Sequence, residues 1–446
     1  MAIDLDHHLQ FENRHHYMLA HQVLSYLFRD YLGSFVIQLW NDSKLLIGDD
    51  LSAFTLKIKD ASVLRDLILF RDPIRLAEAY FDGSIEVEGD FNAALGLRNY
   101  LESLKLPFRT KLHLALKVLF LNNNKSVNHH KSALPKTFVR DGGAPRHNGK
   151  ETIAFHYDIS NDFYQLWLDE RMLYSCAYFE HPQQSLEQAQ CNKLDHICRK
   201  LRLQPGEQFL DIGCGWGALA CWAAKHYGVQ AHGITLSQSQ YEYACNEVRN
   251  QHLQGQVSIT LCDYRDLPMS IRYDKISSIG MFEHVGLKKL PTYFSIVNHL
   301  LKPNGLFLNH GITTAESGWG HCVSSRFINR HVFPDGELET VSAIQALMEN
   351  ENFEIVDVEG LRPHYALTLR HWVNRLEQNY EAAVTLVGER NYRIWRLYMT
   401  GCALQFEQGQ TGIYQILAVR KNNSFPPLPL TRRDLYQEQN HYLNLH

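Results

Sequence analysis

The hydrophobic and polar positions of this chain change rhythm near residue 150. Before that point, SFVIQLWND from Ser34 and FTLKIKD from Phe54 alternate at period two and predict strands that bury one face. The next segment, PIRLAEAYFDGSIEVEGD from Pro73, reads as a helix stopped by Asp-Gly and followed by a short strand. Residues 1–100 are therefore expected to form a small α+β domain, and nothing in it has catalytic spacing. From about Gly149 the unit becomes apolar strand, glycine turn and amphipathic helix in repetition: EQFLDIG then GALACWAAKHYG, VQAHGIT then SQYEYACNEVRNQ, and on through VSITLCD, DKISSIG and GLFLNHGIT. Four or five buried strands separated by helices predict a doubly wound parallel sheet over residues 149–425. Helix returns from His371 to Phe406, YQILAVRK makes a last strand, and residues 426–446 read as a tail.

Composition narrows the class. A chain of 446 residues exceeds the ~250 to 300 at which one core stops growing, so two domains are expected. With 45% hydrophobic and 21% charged residues it reads as globular. The best apolar run, Leu112 to Leu121, falls short of the ~18 residues a spanning helix needs and contains Lys117. MAIDLDHHLQFENRHH has early acids and no apolar core, unlike a secretory signal, which leads to the expectation of a cytoplasmic protein.

The net charge of −4 conceals a basic segment over residues 101–148 that reads as helix and linker. Between Leu101 and Arg140 eight Lys or Arg face the single acid Glu102. A solvated helix with a basic tether is one reading, and a surface settling on anionic headgroups at about 1 kcal/mol per base is the other. No stacking aromatics are interleaved with the bases, so nucleic acid is not expected as a partner. The nine cysteines contain no C-x-x-C pair, a pattern that predicts neither a disulfide framework nor a metal site. The doublets His7-His8, His15-His16 and His129-His130 sit in polar stretches and read as solvated.

Chemistry enters at LDIGCGWGALA, where a strand ends on Asp211 and turns on Gly213, Gly215 and Gly217. Such glycines let a ligand approach the start of the following helix. A nicotinamide dinucleotide would also want an acid closing the second strand, and that strand ends instead in neutral Thr235, Ser237 and Gln240. Ser237 has the position of a helix N-cap. A second stretch, YSCAYF from Tyr174, raises Cys176 as a nucleophile; no basic residue stands beside it in sequence to lower its pKa.

Taken in order, HYDISNDFYQLWLDERMLYSCAYF, LDIGCGWG, ITLSQSQ, CDYRD and GMFEHVG resemble the cyclopropane fatty acid synthases, S-adenosylmethionine-dependent methyltransferases, over residues 150 to about 420. AEAYFDGSIEVEGD is similar to that family's lipid-recruiting domain. The resemblance implies a Rossmann-like methyltransferase domain behind a small α+β lipid-binding domain. It also implies methylene transfer to the cis double bond of phospholipid acyl chains, through a carbocation-like species deprotonated by bound bicarbonate. Asp211 and the three glycines would then line the cofactor site, with Tyr174 and Ser175 on the methionine part, Thr235, Leu236 and Gln240 at the ribose, and Asp263 with Tyr264 at the adenine. Glu283, His310 and Tyr365 would hold the bicarbonate, with backbone groups of Ile312 and Cys176.

Several finer expectations follow from the same resemblance. Gly311 stands where the family pattern has threonine, which would widen the wall of the acyl site. Tyr178, Phe179 and Tyr365 would face the developing cation at ~0.5 to 2 kcal/mol each. Trp372, Trp395 and Tyr398 would wall the acyl groove. The family implies a homodimer, peripherally associated with the inner face of the membrane. Competing readings are a 10-methylene or methyl-branching fatty acyl methyltransferase, a lipid carrier with a vestigial methyltransferase domain, and a small-molecule or RNA methyltransferase.

Overall fold

The computed structural model describes residues 17–49, 51–69, 72–119, 160–316, 323–332, 337–422, 424–426 and 428–436. The three histidine doublets, the linker with the stretch from 120 to 159, and the last ten residues of the tail lie outside the described residues. Two compact units emerge, Met1–Pro145 with Glu389–Ile394, and Arg146–Gly388 with Trp395–His446.

In the first unit four strands, β1 (Phe35–Gln38), β2 (Lys44–Ile47), β3 (Phe54–Ile58) and β4 (Ile85–Gly89), form a sheet of order β2-β1-β3-β4. β1, β3 and β4 fall where the alternation predicts them. β2 is not anticipated, because KLLI has only Ile47 buried and so leaves no period-two signature. Asp72 caps the helix Pro73–Phe81 by accepting from the Ile74 N–H, a bond of about 1 kcal/mol, and Asp82 ends it before Gly83 at φ 83°. The segment 389–394 was expected in the catalytic domain and belongs to this unit instead, where Arg390 pairs with Glu78 at 2.7 Å and Arg393 donates to the Tyr80 carbonyl at 2.9 Å.

The second unit is built on β5 (Gln208–Ile212), β6 (Gln230–Thr235), β7 (Val257–Leu261), β8 (Tyr273–Ile279), β9 (Leu301–Thr314), β10 (Phe353–Gly360) and β11 (Thr411–Arg420), in the order β10-β11-β9-β8-β5-β6-β7. Five neighbouring strands run parallel, as the sequence predicts. β11 departs from that expectation by running antiparallel between β9 and β10. Residues 415–419 are all buried, so the run carries no alternation that would betray its direction.

Alternation at period two sends successive side chains to opposite cores. Phe209, Leu306, Leu308, Leu417 and Val419 pack with the helices Leu186–Leu201 and Ala218–Tyr227. Leu210, Ile276, Phe307, Ile416 and Ala418 pack with Leu290–Leu300 and Val341–Asn350. Helices thus cover both faces, and the carboxyl ends of β5 to β9 are left as the edge at which loops meet a ligand.

Candidate functional site

A first cavity of about 1300 Å³, counting its open mouth, lies at that edge. β5 contributes Asp211 and Ile212, and the glycine turn then bends around the cavity with Gly213, Gly215 and Gly217 at φ 78°, 55° and 87°. Only glycine adopts this sequence of turns cheaply. A Cβ on Gly215 would meet no atom within 4 Å, so its missing side chain opens onto free space. Gly217 serves packing rather than the cavity: it is absent from the lining, and a Cβ there would stand 3.0 Å from that of Ala244.

The other strand ends fill in the wall. Thr235 and Leu236 close β6, and the Thr235 hydroxyl donates to Gln240 Oε1 at 2.8 Å. Ser237 is the cap it was expected to be, accepting from the Gln240 N–H. Asp263 and Tyr264 follow β7, where Asp263 holds Arg265 through its backbone and guanidinium. Tyr174 and Ser175 line the same space. Every residue expected at the cofactor except Gly217 therefore borders one cavity, and a turn this open fits an adenosyl group with its amino-acid tail.

A second cavity, of about 780 Å³, shares Tyr174, Gly280 and His284 with the first. Its remaining lining is largely apolar, with Ile312, Ile328, Leu338 and Phe406 beside Tyr365, Tyr398 and Glu283. Burial pushes the Glu283 carboxyl up to about 7, against the backbone N–H of Ile312, which donates to Oε1 at 2.7 Å and favours the charged form. Oε2 is buried without a hydrogen-bond partner among the described residues. His284 is held neutral, its pKa drawn down to about 4 by burial.

His310 and Cys176 do not line this cavity. His310 lies on β9 at 1% exposure, its pKa lowered to about 3 by burial, with Nε2 unpartnered and Nδ1 3.5 Å from the Gln415 amide nitrogen. That amide donates to Nδ1, which leaves the proton of the neutral ring on Nε2. Burial pushes the Cys176 thiol well above its usual value, so it is no nucleophile. A base does stand near it, contrary to the sequence reading: Lys193 favours the thiolate but is outweighed by desolvation.

Three further expectations need correction. Tyr178 stacks between His196 and His364, with centroids at 4.3 and 4.9 Å, and Phe179 stacks on His371, and neither lines either of these two cavities, whereas Tyr365 lines the second. Trp372 and Trp395 are buried in an aromatic cluster with Trp167 and Tyr174, leaving Tyr398 as the wall residue. Gly311 does not widen the site. A Cβ there would fall 2.1 Å from the Phe282 ring and 2.9 Å from Glu283 Oε1, because Phe282 occupies the space.

Sequence reasoning missed Lys193, His284, Cys402 and Gln405, the last two in a row with Tyr398, which was expected there. For Lys193 a signal existed, since it falls in phase with buried Leu186, Ala189, Gln190, Ile197 and Leu201 on an amphipathic helix, where a lysine is out of place. The row on the helix Tyr380–Glu407 had no such mark.

Comparison with known proteins agrees with this geometry. A family model described as mycolic acid cyclopropane synthetase matches residues 145–416. The chain is 40% identical over 405 residues to a probable fatty acid methyltransferase of Pseudomonas putida, covering 90% of this chain and 96% of that protein. It is 38% identical over 273 residues to the cyclopropane-fatty-acyl-phospholipid synthase of Escherichia coli K12, covering 61% of this chain and 67% of that one. Among solved structures, mycolic acid cyclopropane synthase CmaA1 complexed with SAH and CTAB superposes with a TM-score of 0.58 at 34% identity, over 62% of this chain and 99% of that one. The chain belongs to the cyclopropane synthase family and is an S-adenosylmethionine-dependent methyltransferase.

Proposed function

We propose that this enzyme converts the cis double bond of unsaturated phospholipid acyl chains into a cyclopropane, with the donor in the first cavity and the acyl chain in the second. The observation that carries the reading is the seam at Tyr174, Gly280 and His284, where a cavity lined by the charged side chains of Lys193, Asp211 and Asp263 adjoins one lined by Ile312, Ile328, Leu338 and Phe406. When bound, S-adenosylmethionine supplies an electrophilic methyl group and bicarbonate supplies a base for the proton that the transferred carbon gives up. An alkene is a poor nucleophile, so the chain's own task is to exclude water and to avoid offering a better one. Ile312, Ile328, Leu338 and Phe406 do the first. Burial does the second, holding the Cys176 thiol neutral and raising the Glu283 carboxyl to about 7, so that it is only partly ionised at neutral pH.

The residues present fit an anion. In its protonated form Glu283 donates from Oε2, which is buried without a partner among the described residues; His310 Nε2 is likewise buried without a described partner but lies outside this lining. Tyr365, in the same lining as Glu283, supplies a hydroxyl. Backbone groups of Ile312 and Cys176 complete the expected set, the Ile312 N–H acting through Glu283.

Lipid contact falls to the first unit. On the helix Phe108–Leu119, Leu114 and Val118 are buried while Phe108, Leu112 and Leu116 are 79%, 52% and 49% exposed. Positions i, i+4 and i+8 form one stripe, flanked by Arg109 and Lys111, with no acid between Leu104 and Leu119. Such a face suits anionic headgroups over acyl chains, which supports a reading in which the enzyme works at the membrane surface. No helix among the described residues is long and apolar enough to cross a membrane.

Labelled S-adenosylmethionine and unsaturated phospholipid vesicles test the reaction. Mass spectrometry should show acyl chains gaining one CH2, in a product that resists catalytic hydrogenation. A product that takes up hydrogen would mark the 10-methylene outcome, and no labelled acyl chain would sink the reading. For the stripe, replacing Phe108, Leu112 and Leu116 together by Ser should abolish the vesicle binding that survives high salt; undiminished binding would remove the stripe from lipid contact.

A further inference from the structure

The helix Leu186–Leu201 carries two buried lysines two turns apart, and their surroundings differ in one respect. Lys200, 1% exposed, ion-pairs with Asp357 at 3.2 Å and Glu359 at 2.5 Å. Its charge is neutralised within the fold. Lys193, also 1% exposed, donates to Ser175 Oγ at 2.7 Å and has no ion pair with a described carboxylate. A hydroxyl does not offset the several kcal/mol that burying an ammonium costs.

What Lys193 has instead is a cavity, for it lines the donor site. Asp211 lines the same site from the end of β5, 3% exposed, and accepts from the Ser277 hydroxyl at 2.6 Å. Burial draws Lys193 down to about 8 against the attraction of buried Asp169 and of Asp211, and lifts Asp211 to about 6 against the Ser277 hydroxyl and Lys193; desolvation outweighs these attractions at both groups, and Lys193 makes no ion pair with a described carboxylate. Two buried charges of opposite sign on one cavity wall match a ligand that brings the complementary pair. The tail of S-adenosylmethionine is such a ligand, an α-amino acid with one carboxylate and one ammonium.

We propose that Lys193 is the receptor for the carboxylate of the donor's amino-acid end, with Ser175 orienting the ammonium and Asp211 facing the ligand's own ammonium. This rests on the donor cavity holding S-adenosylmethionine. It gives Ser175 a different part, as the lysine's hydrogen-bond partner, and it makes the electrostatic price of an empty site the source of selectivity for an intact tail.

Calorimetry with S-adenosylhomocysteine and its decarboxylated analogue separates this role from a structural one. Wild-type protein should prefer the intact ligand by about 10- to 100-fold, the range for a hydrogen bond to a charged group. Lys193→Met, which keeps the volume and removes the charge, should bind the two ligands within about threefold of each other, chiefly by losing affinity for the intact one. The wild-type comparison needs no variant, so it stands even where Lys193→Met fails to fold, and Lys193→Arg should then keep the preference. Equal binding of both ligands by wild type overturns the proposal, as does a preference that Lys193→Met leaves intact. Binding of neither ligand by wild type would overturn the cofactor reading with it, and is distinct from both.

Discussion

The donor cavity is walled mainly by strand ends and turns, whereas the acceptor cavity takes most of its wall from helices. Asp211, Thr235, Asp263 and Gly280 each follow a strand of one sheet, so their spacing is fixed by the sheet. Tyr365, Tyr398, Cys402 and Phe406 come from the long helices after β10, and Gly280, Ile312 and Thr411 tie them to the strands. Charge divides the two in the same way. Lys193 and Asp211 give the donor side ionic groups, while Glu283 and His284 on the acceptor side are tuned by burial toward neutrality. Under the proposed reading, strand ends that carry charge suit a cofactor of one shape, and a helical wall rich in apolar side chains suits an acyl chain.

The largest break in that comparison should come from Glu283→Gln. Ring formation should fall by about 10²- to 10⁴-fold while binding of S-adenosylhomocysteine is unchanged, because the residue belongs to one side only. Loss of cofactor binding in calorimetry would show the two cavities to be one site. Gly311→Thr comes next, since its Cβ would enter the Phe282 ring. It should cost about 1–3 kcal/mol in denaturant unfolding and slow acyl modification, with donor binding spared; full stability would mean that Phe282 has room to leave.

Acidity gives a smaller effect with a definite sign. Glu283 titrates from 4.5 when unfolded to about 7 when folded, so its protonation stabilises the fold below 4.5 and that contribution is lost as pH rises through 7. His310 acts oppositely, contributing stability above 6.5 that is lost as pH falls toward 3. Melting temperatures between pH 5 and 8 should therefore decline less steeply with rising pH in Glu283→Gln than in wild type; identical slopes would place the titration elsewhere. The smallest change belongs to Cys176→Ser. Its sulfur meets the carbonyls of Ala177 and Leu361, at 3.3 and 3.9 Å, and the Thr368 side chain, all of which a hydroxyl can also meet. Activity within about threefold of wild type is expected, and a folded but inactive variant would return the thiol to the chemistry.

The same division governs what could be read from residues alone. Gly213, Asp211 and Thr235 announce themselves because a turn at a strand end permits few residue types. Tyr398 and Gln405 lie on a helix whose pattern says only that one face is covered, not by what. Tyr178 and Phe179 sit two and three residues from Cys176, and proximity in sequence suggested a shared site. In the fold His196, His364 and His371 claim them, from helices remote in the chain. Likewise β11 could be recognised as a strand but not oriented, because direction is set by its neighbours.

The ring of Phe282 in the space above Gly311 ties two positions, 29 residues apart in the chain, into one unit of inheritance. Either residue alone is held in place by the other. A lineage can reach threonine at 311 readily only after 282 has become smaller or learned another rotamer, and a shrinking of 282 alone opens a hole beside the Glu283 carboxylate. Swapping parts between this enzyme and its relatives should therefore treat the pair as a single exchangeable cassette.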